Sequence, residues 1–339
     1  MSRTERLLAD LERGFEALEA GEIDTAASIV ERCQRIDRKN PDVVALAAAV
    51  ADASGDLDDA LAQYKELAEL RPDDPMPRIC IARLELQGLG DPEAALATVQ
   101  AAFAFIDDED DLVEAIYIKA QAQVALDDPE AARETLSEVA SSVIDDSDLA
   151  LDFGELALAA EDPAGAKRWI EAAQAAGGDA VRGDALHLLG RVAEFTGDRE
   201  EMATAWLEVR KLDLAAEPGP LTITEDDLEA VAVGTLEELP EKIREKLANV
   251  PILIDDVPSE AQVRDGIDPR LLGLFQGTPM PEDTTQAATV TNIILFRGNL
   301  QRSCVDADHL AEEIRITVLH ETAHYFGLDE ADLEALGLD

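Results

Sequence analysis

Two of the four histidines in this 339-residue chain stand four residues apart near its end, in the stretch LHETAHYFGLDEADL. On a helix, His320 and His324 share one face a single turn apart, a spacing at which both imidazoles can bind one Zn²⁺. Glu321 follows the first histidine and is placed to act as general base toward a water activated by that metal. A catalytic zinc takes a third protein ligand and keeps a fourth position for water. Only fifteen residues follow His324, too few for a separate downstream helix to bring a glutamate back. A nearer solution is that Gly327 stops the helix and Glu330, six residues after His324, turns back as the third ligand. Asp329, one position earlier, is the alternative. His309 and Arg297 are candidates to stabilise charge in a transition state, but neither motif nor position separates that role from a structural one. His187 reads as a packed or surface histidine, and Tyr325 and Phe326 as core residues.

A helix that carries a metal has to be packed. Ile314, Val318 and Leu319 give it an apolar side, and it is expected to begin near Asp306. Upstream, PILIDDV and ATVTNIILFRG are β-rich by composition, with LLGLFQGTP, Leu271 to Pro279, between them as a glycine-containing loop and a helix through Leu239 to Leu247 before them. Helix, strand, loop, strand and long helix make a small α+β domain, expected over residues 222–339. Glu217-Pro218-Gly219-Pro220 stops the preceding helix, and residues 217–221 read as a linker.

Residues 1–216 repeat themselves. GEIDTA at Gly21, GDLDDA at Gly55, GDPEAA at Gly90, DDPEAA at Asp127, EDPAGA at Glu161 and GDREEM at Gly197 are separated by 34, 35, 37, 34 and 36 residues. Each is a short turn that opens a helix, and helical periodicity flanks every one. A period near 34 predicts an all-α solenoid of about six stacked helical hairpins. Small residues recur at Ala26, Ala60, Ala95, Ala132 and Ala166, and again seven residues before each turn at Gly14, Ala48, Ala120, Gly154 and Gly190, with Arg83 in the third repeat. Tyr64 and Trp206 hold a bulky position in the second helix, and Pro72 follows one helix end. This pattern resembles the tetratricopeptide repeat, although aromatics are missing from the first helices and Met202 replaces the final Ala. The resemblance implies a concave surface that grips a peptide or the tail of a partner protein.

The C-terminal residues resemble the minimal zincins, small bacterial domains of metal-dependent peptidases. The likeness covers about Leu221 to Asp339 and rests on HETAHYFGLDEADL, LLGLFQG and the strand IILFRG. In that family an aspartate follows H-E-x-x-H-x-x-G-x-x; here Glu330 stands at that position, with Asp329 just before it. The resemblance implies a compact α+β fold, zinc, and a strand from Thr291 to Arg297 that forms the sheet edge along which an extended peptide lies.

Composition limits the partners. With 28 basic and 74 acidic residues the net charge is −46, and the acidity covers both halves of the chain. Such a surface repels phosphate backbones and anionic lipid, which argues against nucleic-acid or membrane binding; it either attracts a basic protein or peptide or is simply a solvated exterior that keeps the protein soluble. Cys33, Cys80 and Cys304 are odd in number and widely spaced, as expected of reduced thiols in a cytoplasmic protein. The charged N-terminus reads as an amphipathic helix rather than a signal peptide. Two functions fit: a zinc peptidase whose solenoid recruits its substrate, or an interaction scaffold whose C-terminal domain binds metal without turnover.

Overall fold

The structure is a computed structural model that describes residues 2–141, 144–216, 219, 221–247, 250–277 and 292–326. Its contacts divide the chain into two compact units, Met1–Asp179 and Ala180–Asp339.

The first unit is five helical hairpins. They pair α1 (Arg3–Glu19) with α2 (Ile23–Asp37), α3 (Pro41–Ala53) with α4 (Leu57–Leu70), α5 (Met76–Arg83) with α6 (Pro92–Ala102), α7 (Glu109–Ala125) with α8 (Pro129–Leu136), and α9 (Ser147–Ala159) with α10 (Pro163–Gly177). The hairpin turns share one device. Gly21, Gly55, Gly90, Asp127 and Glu161 all take a positive φ, between 55° and 73°, which reverses the chain after the first helix. The next residue caps the second helix: the carboxylates of Asp56, Asp91, Asp128 and Asp162 each accept the backbone N–H three residues on. Glu22, one methylene longer, makes no such bond. Ala26, Ala60, Ala95, Ala132 and Ala166 are fully buried in the hairpins.

The third hairpin departs from the rule. Arg83 stands where the others have Gly or Ala, and its guanidinium donates to Asp52 at 2.5 Å. Directly after it the helix widens into a π-helical turn, Leu84–Gly88, closed by Leu89 N–H donating to the Leu84 carbonyl at 3.0 Å.

The second unit opens with a sixth hairpin, α11 (Arg182–Thr196) and α12 (Arg199–Ala215). It turns at Gly197, φ 76°, and is capped by Asp198, so the repeat pattern continues into this unit. Gly190 faces the Trp206 ring so closely that a Cβ would collide with it. There follow α13 (Glu225–Glu238), α14 (Glu241–Leu247), β1 (Ile252–Asp255), α15 (Glu260–Asp265), β2 (Gly273–Gln276), β3 (Asn292–Phe296), α16 (Arg297–Ser303) and α17 (Ala307–Tyr325). The described strands form one sheet in the order β1-β3-β2, with β1 parallel and β2 antiparallel to β3. Ile293 and Leu295 of β3 meet Leu228 and Ala232 of α13 and Leu310, Ile314 and Val318 of α17 in a common core.

Three sequence expectations change here. LLGLFQG is not all loop, because Gly273–Gln276 pairs with β3 as a strand. The strand expected at the sheet edge, Thr291 to Arg297, is instead central: its described residues Asn292–Phe296 are paired on both sides and buried throughout, the signature of an interior strand. Thr291 lies outside the described residues, and Arg297 already begins α16. The helix expected over Leu239 to Leu247 is preceded by a longer one, α13, with Pro240 at the break between them.

Candidate metal centre

Helix α17 carries the motif. Asp306 caps its start by accepting from His309 N–H at 2.8 Å, and Ile314 and Val318 bury its apolar side, with Leu319 half-buried. This fixes the rotation of the helix, so that Thr317 and Glu321, one turn apart, meet β2.

The two imidazoles converge. His320 Nε2 and His324 Nε2 are 3.0 Å apart, and the rings meet edge to face with centroids 4.7 Å apart. Two nitrogens bound to one tetrahedral Zn²⁺ at ordinary bond lengths lie about 3.3 Å apart, so a small adjustment of this pair suits it to two positions of such a site. Both rings are half-buried. Among the described residues no group of three His, Cys, Asp or Glu could hold a metal. The expected third ligand, Glu330, its alternative Asp329, and the helix-stopping Gly327 all lie outside the described residues.

Glu321 is 6% exposed. Its carboxylate accepts the backbone N–H of Phe275 in β2 at 2.5 Å. The approach is close because residue 273 is glycine: a Cβ there would lie 2.6 Å from the Thr317 methyl and 3.0 Å from Glu321 Cγ. Thus β2, a segment expected to be loop, holds the Glu321 side chain in place. The glycine inside an apolar run, LLGLF, was the available signal of a close backbone approach.

The candidate charge stabilisers are engaged elsewhere. His309 accepts from Val305 N–H at 3.3 Å in the first turn of α17, about 16 Å along the helix from His320. Arg297 pairs with Asp256 at 2.6 Å and with Glu225 at 3.7 Å. His187 is not a bystander on the helical surface: its Nε2 lies 2.9 and 2.8 Å from the two carboxylate oxygens of Asp268, in the loop before β2. The Tyr325 side chain lies outside the described part of the structure, and Phe326 is half-buried at the helix end.

Two families match separate parts of the chain. Residues 247–338 match the family of zincin-like metallopeptidases, and residues 17–84 match a tetratricopeptide repeat family. The chain thus combines tetratricopeptide repeats with a zincin-like metallopeptidase domain. Among solved structures it is similar to PilW, a widely conserved type IV pilus biogenesis factor, at 14% identity and a TM-score of 0.53 over 62% of this chain and 95% of that one. It is also similar to pilF of Pseudomonas aeruginosa, at 18% identity and a TM-score of 0.50 over 62% of this chain and 94% of that one. At these identities the likeness establishes the helical-repeat fold alone. No curated protein matches the sequence. All three cysteines are free thiols, and no helix among the described residues is long and apolar enough to cross a membrane.

Proposed function

We propose that the chain is a zinc-dependent peptidase that recruits a basic polypeptide through its helical repeats. The observation that carries this reading is the convergence of the two imidazoles on a helix whose intervening Glu321 is seated against β2. His320 and His324 would hold the metal by their Nε2 atoms, with Glu330 as the third ligand and Asp329 as its alternative. Zinc held there supplies Lewis-acid polarisation of a peptide carbonyl. Glu321 takes the proton from the attacking water and passes it to the leaving amine. The Phe275 amide fixes that carboxylate through one oxygen. Among the described residues β2 is a sheet edge, where an extended substrate can pair by backbone hydrogen bonds beside Glu321.

A cavity of about 360 Å³ in the first unit supports a basic partner. Asp110, Glu114, Asp145 and Asp146 line it together with the apolar surfaces of Tyr117 and Leu149. Burial pushes the Glu114 carboxyl above its usual range, and the charge of Arg83 opposes that shift. The aliphatic stem and charged head of a lysine or arginine suit such a lining.

One observation favours a second reading, a scaffold that binds metal without turnover: Glu321 is almost fully buried and already bonded to the backbone. The two separate on Glu321→Gln. Zinc content by elemental analysis and hydrolysis of basic peptides would be measured on wild type, Glu321→Gln, Glu330→Ala and Asp329→Ala. The peptidase reading expects about one zinc per chain, lost in Glu330→Ala, and hydrolysis lost in Glu321→Gln with the zinc retained. Zinc with no hydrolysis in the wild type would leave the scaffold; no zinc even after its addition would sink both.

A further inference from the structure

We infer that the sixth hairpin, α11–α12, is a positioning element of the zincin-like domain: it clamps the loop that delivers β2 to Glu321. The loop runs from Gly266, the left-handed cap of α15, to Leu272. From one side it is gripped by the hairpin. His187 of α11 spans both oxygens of Asp268. Arg270 donates to both oxygens of Asp213 in α12, at 3.0 and 3.2 Å, and to Asp184 in α11 at 2.5 Å. At Gly183, a Cβ would lie 3.2 Å from the Arg270 guanidinium, so the helix leaves room for the arginine to reach both carboxylates.

From the other side the loop is held by α16. Asn299, 3% exposed, donates through Nδ2 to the Pro269 and Leu271 carbonyls at 2.9 and 2.7 Å. Asp268 also accepts the Arg270 backbone N–H at 2.7 Å, which closes the turn on itself. The clamp ends at Leu272, whose carbonyl accepts Phe296 N–H of β3, and the next residue is Gly273, beneath Thr317 and Glu321. Only residues 271–274 therefore separate the Arg270 ion pairs from the Phe275 amide that holds the Glu321 carboxylate. The hairpin has the repeat sequence of the solenoid, yet its charged side chains serve the domain that follows it.

This inference rests on the proposed peptidase only for its consequence on hydrolysis; the positioning itself is read without activity. In the full-length chain, Arg270→Gln removes the double ion pair. Amide hydrogen exchange at Phe275 is expected to rise at least tenfold, with exchange in α1–α10 and in the core of α17 unchanged and bound zinc retained. Reversal of the double pair, Arg270→Asp with Asp213→Arg and Asp184→Arg, should return Phe275 most of the way to its original protection. If hydrolysis is present, kcat should fall more than KM rises in Arg270→Gln, because the aim of Glu321 is altered rather than the capture of substrate. Unchanged exchange at Phe275 would overturn the inference. So would a rise spread evenly over residues 180–326 that the reversed pair fails to rescue, since that marks general destabilisation. Absence of hydrolysis in the wild type would count against the peptidase while leaving the exchange result to decide the clamp.

Discussion

Among the described residues, the five hairpins of the first unit and the ten elements of the second are held together by different kinds of contact. In the first unit the determinants are local and repeated: a left-handed turn residue, an aspartate cap one position later, and an alanine that lets paired helices touch. In the second they are singular and distant, as in His187 with Asp268, Arg270 with Asp213, and Phe275 with Glu321. A repeated local rule tolerates an exception, because the neighbouring hairpins still specify the array. A singular long-range contact has no duplicate, and a site built on one inherits that dependence.

This contrast can be broken most sharply at Glu321. Glu321→Gln preserves the acceptor for Phe275 N–H through its amide oxygen but removes the base, and hydrolysis of a basic peptide is expected to fall by about 10²–10⁴-fold with zinc content unchanged. An equal loss of zinc and fold would instead make Glu321 a structural residue. Next in size is Gly190→Ala, at the contact of the sixth hairpin with Trp206. The clash should cost about 1–3 kcal/mol in denaturant unfolding, confined to the second unit if the two units respond separately.

The repeat rule itself is tested at Asp127 and Glu161, the non-glycine residues with positive φ among the described residues. Asp127→Gly and Glu161→Gly should each stabilise the first unit by about 1 kcal/mol, read from the denaturation midpoint at constant slope. A loss of stability would mean that these side chains make a compensating contact. The smallest effect concerns acid. Burial raises the Asp268 carboxyl, but the hydrogen bond and charge of His187, the Arg270 N–H and the charge of Arg191 outweigh it, and the net shift is downward from 3.8. Glu194, the other carboxylate close by, is pushed up by burial and by Asp268. A depressed folded value stabilises above the unfolded pKa and is lost as pH falls through the folded one. The melting-temperature gap between wild type and Asp268→Asn should therefore close as pH falls below about 4.

The same contrast explains what was legible in the sequence. The turns at Gly21 through Gly197 could be read because six copies align, and even Asp127 and Glu161 occupy the place of glycine. His320, Glu321 and His324 could be read because helical geometry alone puts them together. Strand β2 could not, since four residues containing a glycine carry little pattern, and its pairing with β3 depends on residues about twenty positions away. Nor could the service of His187 to Asp268, 81 residues later, because no local rule joins them. The interior position of β3 was hidden for a similar reason: its apolar run specifies burial on both faces but not which strands flank it.

The π-helical turn at Leu84–Gly88 bears on the length of the repeat. The interval from Gly55 to Gly90 is 35 residues, one more than the preceding interval of 34. The wide turn takes up that residue on the spot: the bond from Asp91 N–H reaches back six residues to Glu85, where the turns at Asp56, Asp128 and Asp162 reach back five. Gly90 still reverses the chain with a φ of 62°, and Asp91 still caps the helix after it. The extra residue behaves as a dislocation confined to one row of a layered lattice: the defect is healed within its own hairpin, before the helix that follows Gly90 begins.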